Sequence, residues 1–263
     1  MRFSSDQIQK IGKEISSKVD GKTLFDEFSR GRYSTDASVY QIKPLGVVLP
    51  KDTNDVLNLM EYSQKNSIPL LARGGGSSQC GQTVGESVVL DYSKHQNKIL
   101  ELNVEEKYVW VQPGVVLDHL NSFLRPYGLW FPVDVSTSSR ATIGGMSANN
   151  SCGSRSLYYG NMVHNVLAIE AILDDGSLHT FDQINKNYLT TTNNQDRFYK
   201  IIDKFLHLRQ KVSKDIDENW PTTQRRVGGY NIDLIDPNGF NSSNLLVGSE
   251  AVSYTHLRAH ETG

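Results

Sequence analysis

The chain has 263 residues and a formal net charge of −2, with 38% hydrophobic and 21% charged residues. That length suits one large domain or two smaller ones with a buried core, and the composition excludes a disordered chain. The near-neutral balance gives no electrostatic ground for nucleic acid or an anionic membrane, and no apolar run approaches a bilayer span, so neither partner is expected.

The N-terminus, Met1-Arg2-Phe3-Ser4-Ser5-Asp6, lacks the apolar core of a signal peptide, so the expected location is cytoplasmic, with the inner face of the membrane as a peripheral alternative. Residues 6–19 put Ile8, Ile11, Ile15 and Val19 on one helical face, and Asp20-Gly21 stops that helix. The polar run from Arg30 to Asp36 reads as an ordered loop. From Pro44 the pattern turns α/β. Residues 45–49 form a short apolar strand closed by Pro50. Asp52 or Thr53 caps a helix that buries Val56, Leu59 and Met60. Strands follow at 68–72 and 88–90, completing a β-α-β-β unit.

The second half reads differently. Residues 99–103 and 108–112 predict an antiparallel hairpin, and a helix after Gly114 carries Val116, Leu120, Phe123, Leu124 and Tyr127 on one side. Residues 166–173 and 177–181 flank Asp174-Asp175-Gly176, a second hairpin with a tight-turn Asp-Gly pair. An amphipathic helix then aligns Phe198, Ile201, Ile202, Phe205 and Val212. The fold class expected is α+β in two lobes that meet near residue 97.

Two stretches carry the chemistry. The strand at 68–72 ends in Arg73-Gly74-Gly75-Gly76-Ser77-Ser78. Three glycines after a strand let the backbone approach a ligand, and successive N–H groups there form a nest for a phosphate or pyrophosphate. The stretch is neither a P-loop, for no lysine follows, nor a full dinucleotide fingerprint, since Gln79 holds the third glycine position. The competing reading is a surface loop. The second stretch runs from Ser136 to Gly153, with Thr142 placed to cap a helix that starts at Gly144-Gly145. Its alternatives are an anion-binding helix start and a packed turn-helix without a ligand. Two donor-rich segments on two lobes suit an extended dinucleotide between them. Cys80 and Cys152 form no Cys-x-x-Cys pair; they read as small packing residues rather than a disulfide or metal ligands.

Five motifs in order resemble the FAD-binding flavoproteins of the vanillyl-alcohol-oxidase/PCMH type. They are Tyr33-Ser34-Thr35-Asp36-Ala37-Ser38, Arg73 to Ser78, Val111-Gln112-Pro113-Gly114-Val115, Arg140 to Gly153, and Gly229-Tyr230-Asn231 with Leu246-Val247-Gly248-Ser249-Glu250. Within that group the chain is similar to glycolate oxidase and D-lactate dehydrogenase, and to D-2-hydroxyacid dehydrogenases that join the FAD module to an iron–sulfur module. The resemblance implies a two-lobed domain over 41–250, with a β-α-β-β lobe at about 41–97 and a larger lobe with an antiparallel sheet at about 98–250. A helical extension precedes it at 1–40.

The resemblance also implies FAD between the lobes. Its pyrophosphate lies on Arg73, Gly74, Gly75, Gly76, Ser77 and Ser78, with Gln82 nearby. Pro132, Ser136, Thr142, Gly144, Gly145, Asn149, Ser151, Gly153, Tyr159, Gly160 and Val166 lie along the flavin and ribityl side. Serines at 77 and 78, where some relatives carry a flavin-linked histidine, imply non-covalent FAD. Arg225 and Arg226 are candidates for a substrate carboxylate, against the alternative of a solvated basic pair. The implied activity is oxidation of a small D-2-hydroxy acid by hydride transfer to flavin, with the electron acceptor open. Two other readings remain: a flavin-dependent reductase of a UDP-sugar precursor, and a flavin- or nucleotide-binding module without turnover.

After Glu250 the family pattern breaks. Residues 251–263 look like a foreign tail, expected to be unstructured and removable. His256 and His260 fall in it without a third ligand, so no metal is assigned. A capping domain that supplies the catalytic base, and any iron–sulfur cluster, would belong to sequence beyond this chain.

Overall fold

The computed structural model describes residues 3–185, 188, 196–223, 226, 228–250 and 256–260. The chain opens with helix α1, Ser5–Ser16. Ser4 caps it: its side chain accepts the Gln7 N–H, while Gln7 reaches back to the Ser4 N–H. Ile8, Ile11 and Ile15 are buried, as the spacing predicts, and Val19 is buried just beyond the helix end. Strand β1, Lys22–Leu24, then pairs antiparallel with β2, Gly46–Leu49, so the N-terminal segment contributes a strand as well as helices.

Between them lies α2, Glu27–Arg32, which corrects the loop expected from Arg30 onward. Asp26 caps this helix by accepting the Ser29 N–H at 2.9 Å. Arg30 is buried with its Nε donating to the Pro44 carbonyl at 2.9 Å. A buried arginine beside a glycine reads as loop in sequence; the cap and the Pro44 acceptor make it a helix.

Helix α3, Thr53–Asn66, is capped by Asp52 and leads to β3, Leu70–Arg73; β4, Val88–Asp91, follows. The first sheet has the order β1-β2-β4-β3, with β2, β4 and β3 parallel. Val48, Val88 and Leu90 face the α1/α3 core, while Val47, Leu49 and Val89 are buried on the opposite face. Burial on both faces explains their unbroken apolar runs.

Hairpin β5–β6 (Ile99–Asn103 and Tyr108–Val111) opens the second lobe. Helix α4, Leu117–Leu124, buries Leu117, Leu120 and Leu124. Val116 is its N-cap, and Phe123 and Tyr127 are exposed, their rings 5.9 Å apart. The α-helix gives way to a 3₁₀ turn at Arg125–Tyr127, where Pro126 sits, so the 3.6-residue period does not carry Tyr127 to the buried side. Short helices α5 (Ile143–Asn149), α6 (Ser156–Tyr159) and α7 (Met162–Asn165) precede β7, Val166–Ile172. Strand β7 forms the expected hairpin with β8, Leu178–Phe181, through a turn in which Gly176 has φ 82°. Then come β9, Gln183–Asn185, helices α8 (Arg197–Lys211) and α9 (Ser213–Asn219), and β10, Gly239–Asn241.

With β11 at His256–His260, the second sheet has the order β5-β6-β11-β7-β8 with all neighbours antiparallel. Its central strand is β11, His256–His260, in register with β6 (Leu257 opposite Val111) and β7 (Leu257 opposite Ile169). This corrects the expectation of an unstructured tail. A ladder needs backbone N–H and C=O groups, and the slot between two hairpins recruits them whatever the apolar pattern of the strand.

Candidate functional site

The edge strand β3 delivers the chain to Gly74, and Arg73 fixes how the loop leaves the sheet. Its guanidinium donates to the carbonyls of Thr35 (2.8 Å) and Thr83 (3.1 Å) and lies 5.2 Å from the centre of the Tyr33 ring. The Tyr33 hydroxyl donates to Asp91 at the end of β4, at 2.6 Å. Burial lowers the Arg73 pKa, while Asp91, Tyr33 and Asp36 oppose that shift. Arg73 therefore ties three segments together around the loop and is not a free charge at its entry. Gly76, at φ 63°, turns beneath this guanidinium and accepts the Ala37 N–H at 3.1 Å. The backbone N–H groups of residues 74–78 make no hydrogen bond with the described residues. Five successive backbone donors on the cleft wall thus have no partner among the described residues.

The second motif behaves differently at its helix start. Thr142 caps α5, its Oγ1 accepting the Gly145 N–H at 3.3 Å. The N–H groups of Ile143, Gly144 and Met146 donate to Val115, Pro113 and Thr142 carbonyls at 2.8, 2.9 and 2.8 Å. All four first-turn donors are consumed by the protein, so an anion finds no open helix start here. The motif instead meets the glycine loop. A Cβ on Gly74 would collide with Thr142 Oγ1, and one on Gly75 with the Arg140 carbonyl oxygen. The two glycines are thus required by the approach of one lobe to the other.

Between these surfaces lies a cleft of about 590 Å³. Of the residues expected at the cofactor, Arg73, Gly74, Gly75, Gly76, Ser77, Ser78, Gln82, Ser136, Thr142, Gly144, Gly145, Asn149 and Ser151 line it. Pro132, Gly153, Tyr159, Gly160 and Val166 do not. Gly153 packs on the Asp134 carbonyl, Tyr159 sits edge-on to Trp130 with centroids 5.1 Å apart, and Val166 is buried at the start of β7.

Arg226 lies away from the cleft, 3.3 Å from Asp233 and donating to the Pro221 carbonyl at 3.0 Å. It borders a small recess with His164, whose pKa is lowered by burial and then by Arg226. Arg225 lies outside the described residues. Cleft residues that were not among the cofactor candidates include Tyr92, Pro113, Met146, Cys80, Cys152 and Glu250. Neither cysteine is in a disulfide, and both line the cleft, Cys80 exposed and Cys152 half-buried. Glu250 closes a quoted motif, which was the available signal for it. Among the described residues, no cluster of three or more His, Cys, Asp or Glu is placed to hold a metal ion. No described helix is long and apolar enough to cross a membrane.

Comparison with known proteins agrees with this architecture. D-2-hydroxyglutarate dehydrogenase of Haemophilus influenzae is 36% identical over 233 residues, which are 82% of this chain and 22% of that protein. Glycolate oxidase subunit GlcD of Bacillus subtilis is 34% identical over 175 residues, 65% of this chain and 37% of that protein. The matched part of the chain thus spans 22% to 37% of the length of these relatives. Among solved structures, alkyldihydroxyacetonephosphate synthase superposes with a TM-score of 0.67 at 17% identity, over 97% of this chain and 40% of that one, a likeness of fold alone. A family profile described as an FAD binding domain matches residues 44–182, more than half of the chain and both walls of the cleft, and the chain belongs to that family.

Proposed function

We propose that this chain is the FAD-binding module of an oxidoreductase that oxidises a D-2-hydroxy acid of the 2-hydroxyglutarate, glycolate or lactate type. The observation that carries the reading is the row of N–H donors at residues 74–78 that meet no acceptor among the described residues, set in a cleft whose far wall is the second motif. That arrangement fits a dinucleotide with a central pyrophosphate. The substrate class follows from the names of the relatives, D-2-hydroxyglutarate dehydrogenase and glycolate oxidase subunit.

In this reading the N–H groups of residues 74–78 and the hydroxyls of Ser77 and Ser78 hold the pyrophosphate. Ser136, Asn149 and Ser151 supply side-chain hydrogen bonds along the opposite wall. Thr142 keeps its hydroxyl for capping α5, and its part is to fix that wall. When bound, FAD supplies a hydride acceptor; the residues here bind it, orient it and exclude water around it. Serines stand at 77 and 78 in the loop and no histidine lines the cleft among the described residues, which favours non-covalent attachment.

The test is direct. Purified protein should be yellow and should release FAD into the supernatant on acid precipitation. A colourless protein that does not take up added FAD refutes the reading, and flavin retained in the precipitate refutes non-covalent attachment. In a version extended to the length of the relatives, D-2-hydroxy acids should bleach the flavin absorbance while UDP-sugar enol ethers should not reoxidise it.

A further inference from the structure

The cleft floor carries a hydroxyl that no described residue engages. Along β4, Val88, Leu90 and Tyr92 alternate onto one face and join the α1/α3 core. Tyr92 stands just past the strand end. Its N–H donates to the Arg73 carbonyl at 3.1 Å, one step beyond the Arg73–Asp91 pair. The register thus brings it level with Gly74, where the row of open N–H donors begins. Ala72 and Tyr92, both packed on the α1/α3 core, also line the cleft.

Tyr92 is 6% exposed, yet its hydroxyl has no hydrogen-bond partner among the described residues. Tyr33 and Tyr62 differ, for their hydroxyls donate to Asp91 and Glu14. Burial raises all three pKa values; carboxylates add to the rise in Tyr33 and Tyr62, and no other group adds to it in Tyr92. Tyr92 is therefore a protonated donor at neutral pH. The unpartnered polar atoms sealed from solvent lie elsewhere, on Gln82, Ser147, Arg209 and Asn244. The Tyr92 hydroxyl thus keeps an opening, and the cleft is the open space that this residue lines. A largely desolvated hydroxyl without an acceptor is unfavourable, and a ligand that accepts from it removes that cost.

We propose that the Tyr92 hydroxyl donates to a pyrophosphate oxygen of the bound dinucleotide, from the cleft floor and next to the N–H groups of residues 74–78. The proposal rests on the FAD reading given above. The neighbouring backbone donors fix where negative charge sits, at the end of the loop level with Tyr92. An O–H that meets an anion there makes a shorter and stronger bond than one that meets a neutral acceptor.

Tyr92→Phe removes the hydroxyl and keeps the ring. Three measurements on the intact chain test the proposal: titration calorimetry with FAD, phosphorus NMR of the FAD-loaded protein, and melting of the FAD-free protein. FAD affinity should fall about tenfold, the size of one hydrogen bond to a charged group. At least one of the two phosphorus resonances of bound FAD should move. The FAD-free variant should melt at the wild-type temperature or above it, since no protein group loses a partner. Unchanged FAD affinity overturns the proposal. So do unmoved phosphorus resonances, which would place the hydroxyl at another part of the ligand. A lower melting temperature of the FAD-free variant overturns it as well, because the hydroxyl would then serve the fold. Wild-type protein that takes up no FAD refutes the FAD reading itself, before the variant is compared.

Discussion

Thr142 occupies the space that a side chain on Gly74 would need, and the Arg140 carbonyl does the same for Gly75. The glycine run is therefore an interlobe contact. Gly74→Ala and Gly75→Val must push the second motif away, a cost of about 1–3 kcal/mol for overpacking. Urea unfolding midpoints and FAD affinity should fall together in both variants. Affinity lost at unchanged stability would mean that the new side chain enters ligand space only, as the sequence alone suggests.

Arg73 should behave as a clamp. Arg73→Ala removes two charged hydrogen bonds to Thr35 and Thr83, and each such bond contributes about 1.5–3 kcal/mol. Arg73→Lys keeps the charge but lacks the planar fork that reaches both carbonyls, so it should recover little. Both variants should lower the melting temperature and FAD affinity. Wild-type stability with lost affinity would assign Arg73 to the ligand.

The Tyr62 hydroxyl donates to Glu14 at 2.7 Å, joining α3 to α1. Burial first, then Glu14, pushes its pKa from 10.0 up to about 12. The folded-state value lies above the unfolded one. Its stabilisation is therefore complete below pH about 10 and is lost as pH rises towards 12. Burial raises Tyr33 and Tyr92 as well, with Asp91 adding to Tyr33. Stability measured by denaturant titration should fall above pH 10, and Tyr62→Phe should flatten part of that fall. An identical alkaline slope in the variant would count against it.

Deleting residues 251–263 removes β11 and leaves β6 and β7 with facing unpaired edges. Exposed inner edges invite aggregation. The truncated chain should melt earlier and aggregate on heating, as read by light scattering. A truncated chain with the parent's melting curve would show that the two hairpins need no strand between them.

Much of the local structure is legible in the amino-acid sequence alone. The Ile8/Ile11/Ile15 face, the Asp52 and Thr142 caps and the Asp-Gly hairpin each depend on neighbours a few residues away. The glycine loop is legible too, because a strand ending in three glycines has few uses. Only the tertiary structure decides which donors remain free. The α5 start is silenced by Val115 and Pro113, while the N–H groups of residues 74–78 find no acceptor among the described residues. Arg73, which lines the cleft, is also tied to Thr35 and Thr83, far apart in sequence, and only the fold brings those carbonyls to it. Glu250 reaches Gln82 across 168 positions, and β11 finds its slot between two hairpins. Periodicity and capping are short-range and are written in the order of residues. Hydrogen-bond satisfaction is a three-dimensional competition for partners, settled only when the lobes close.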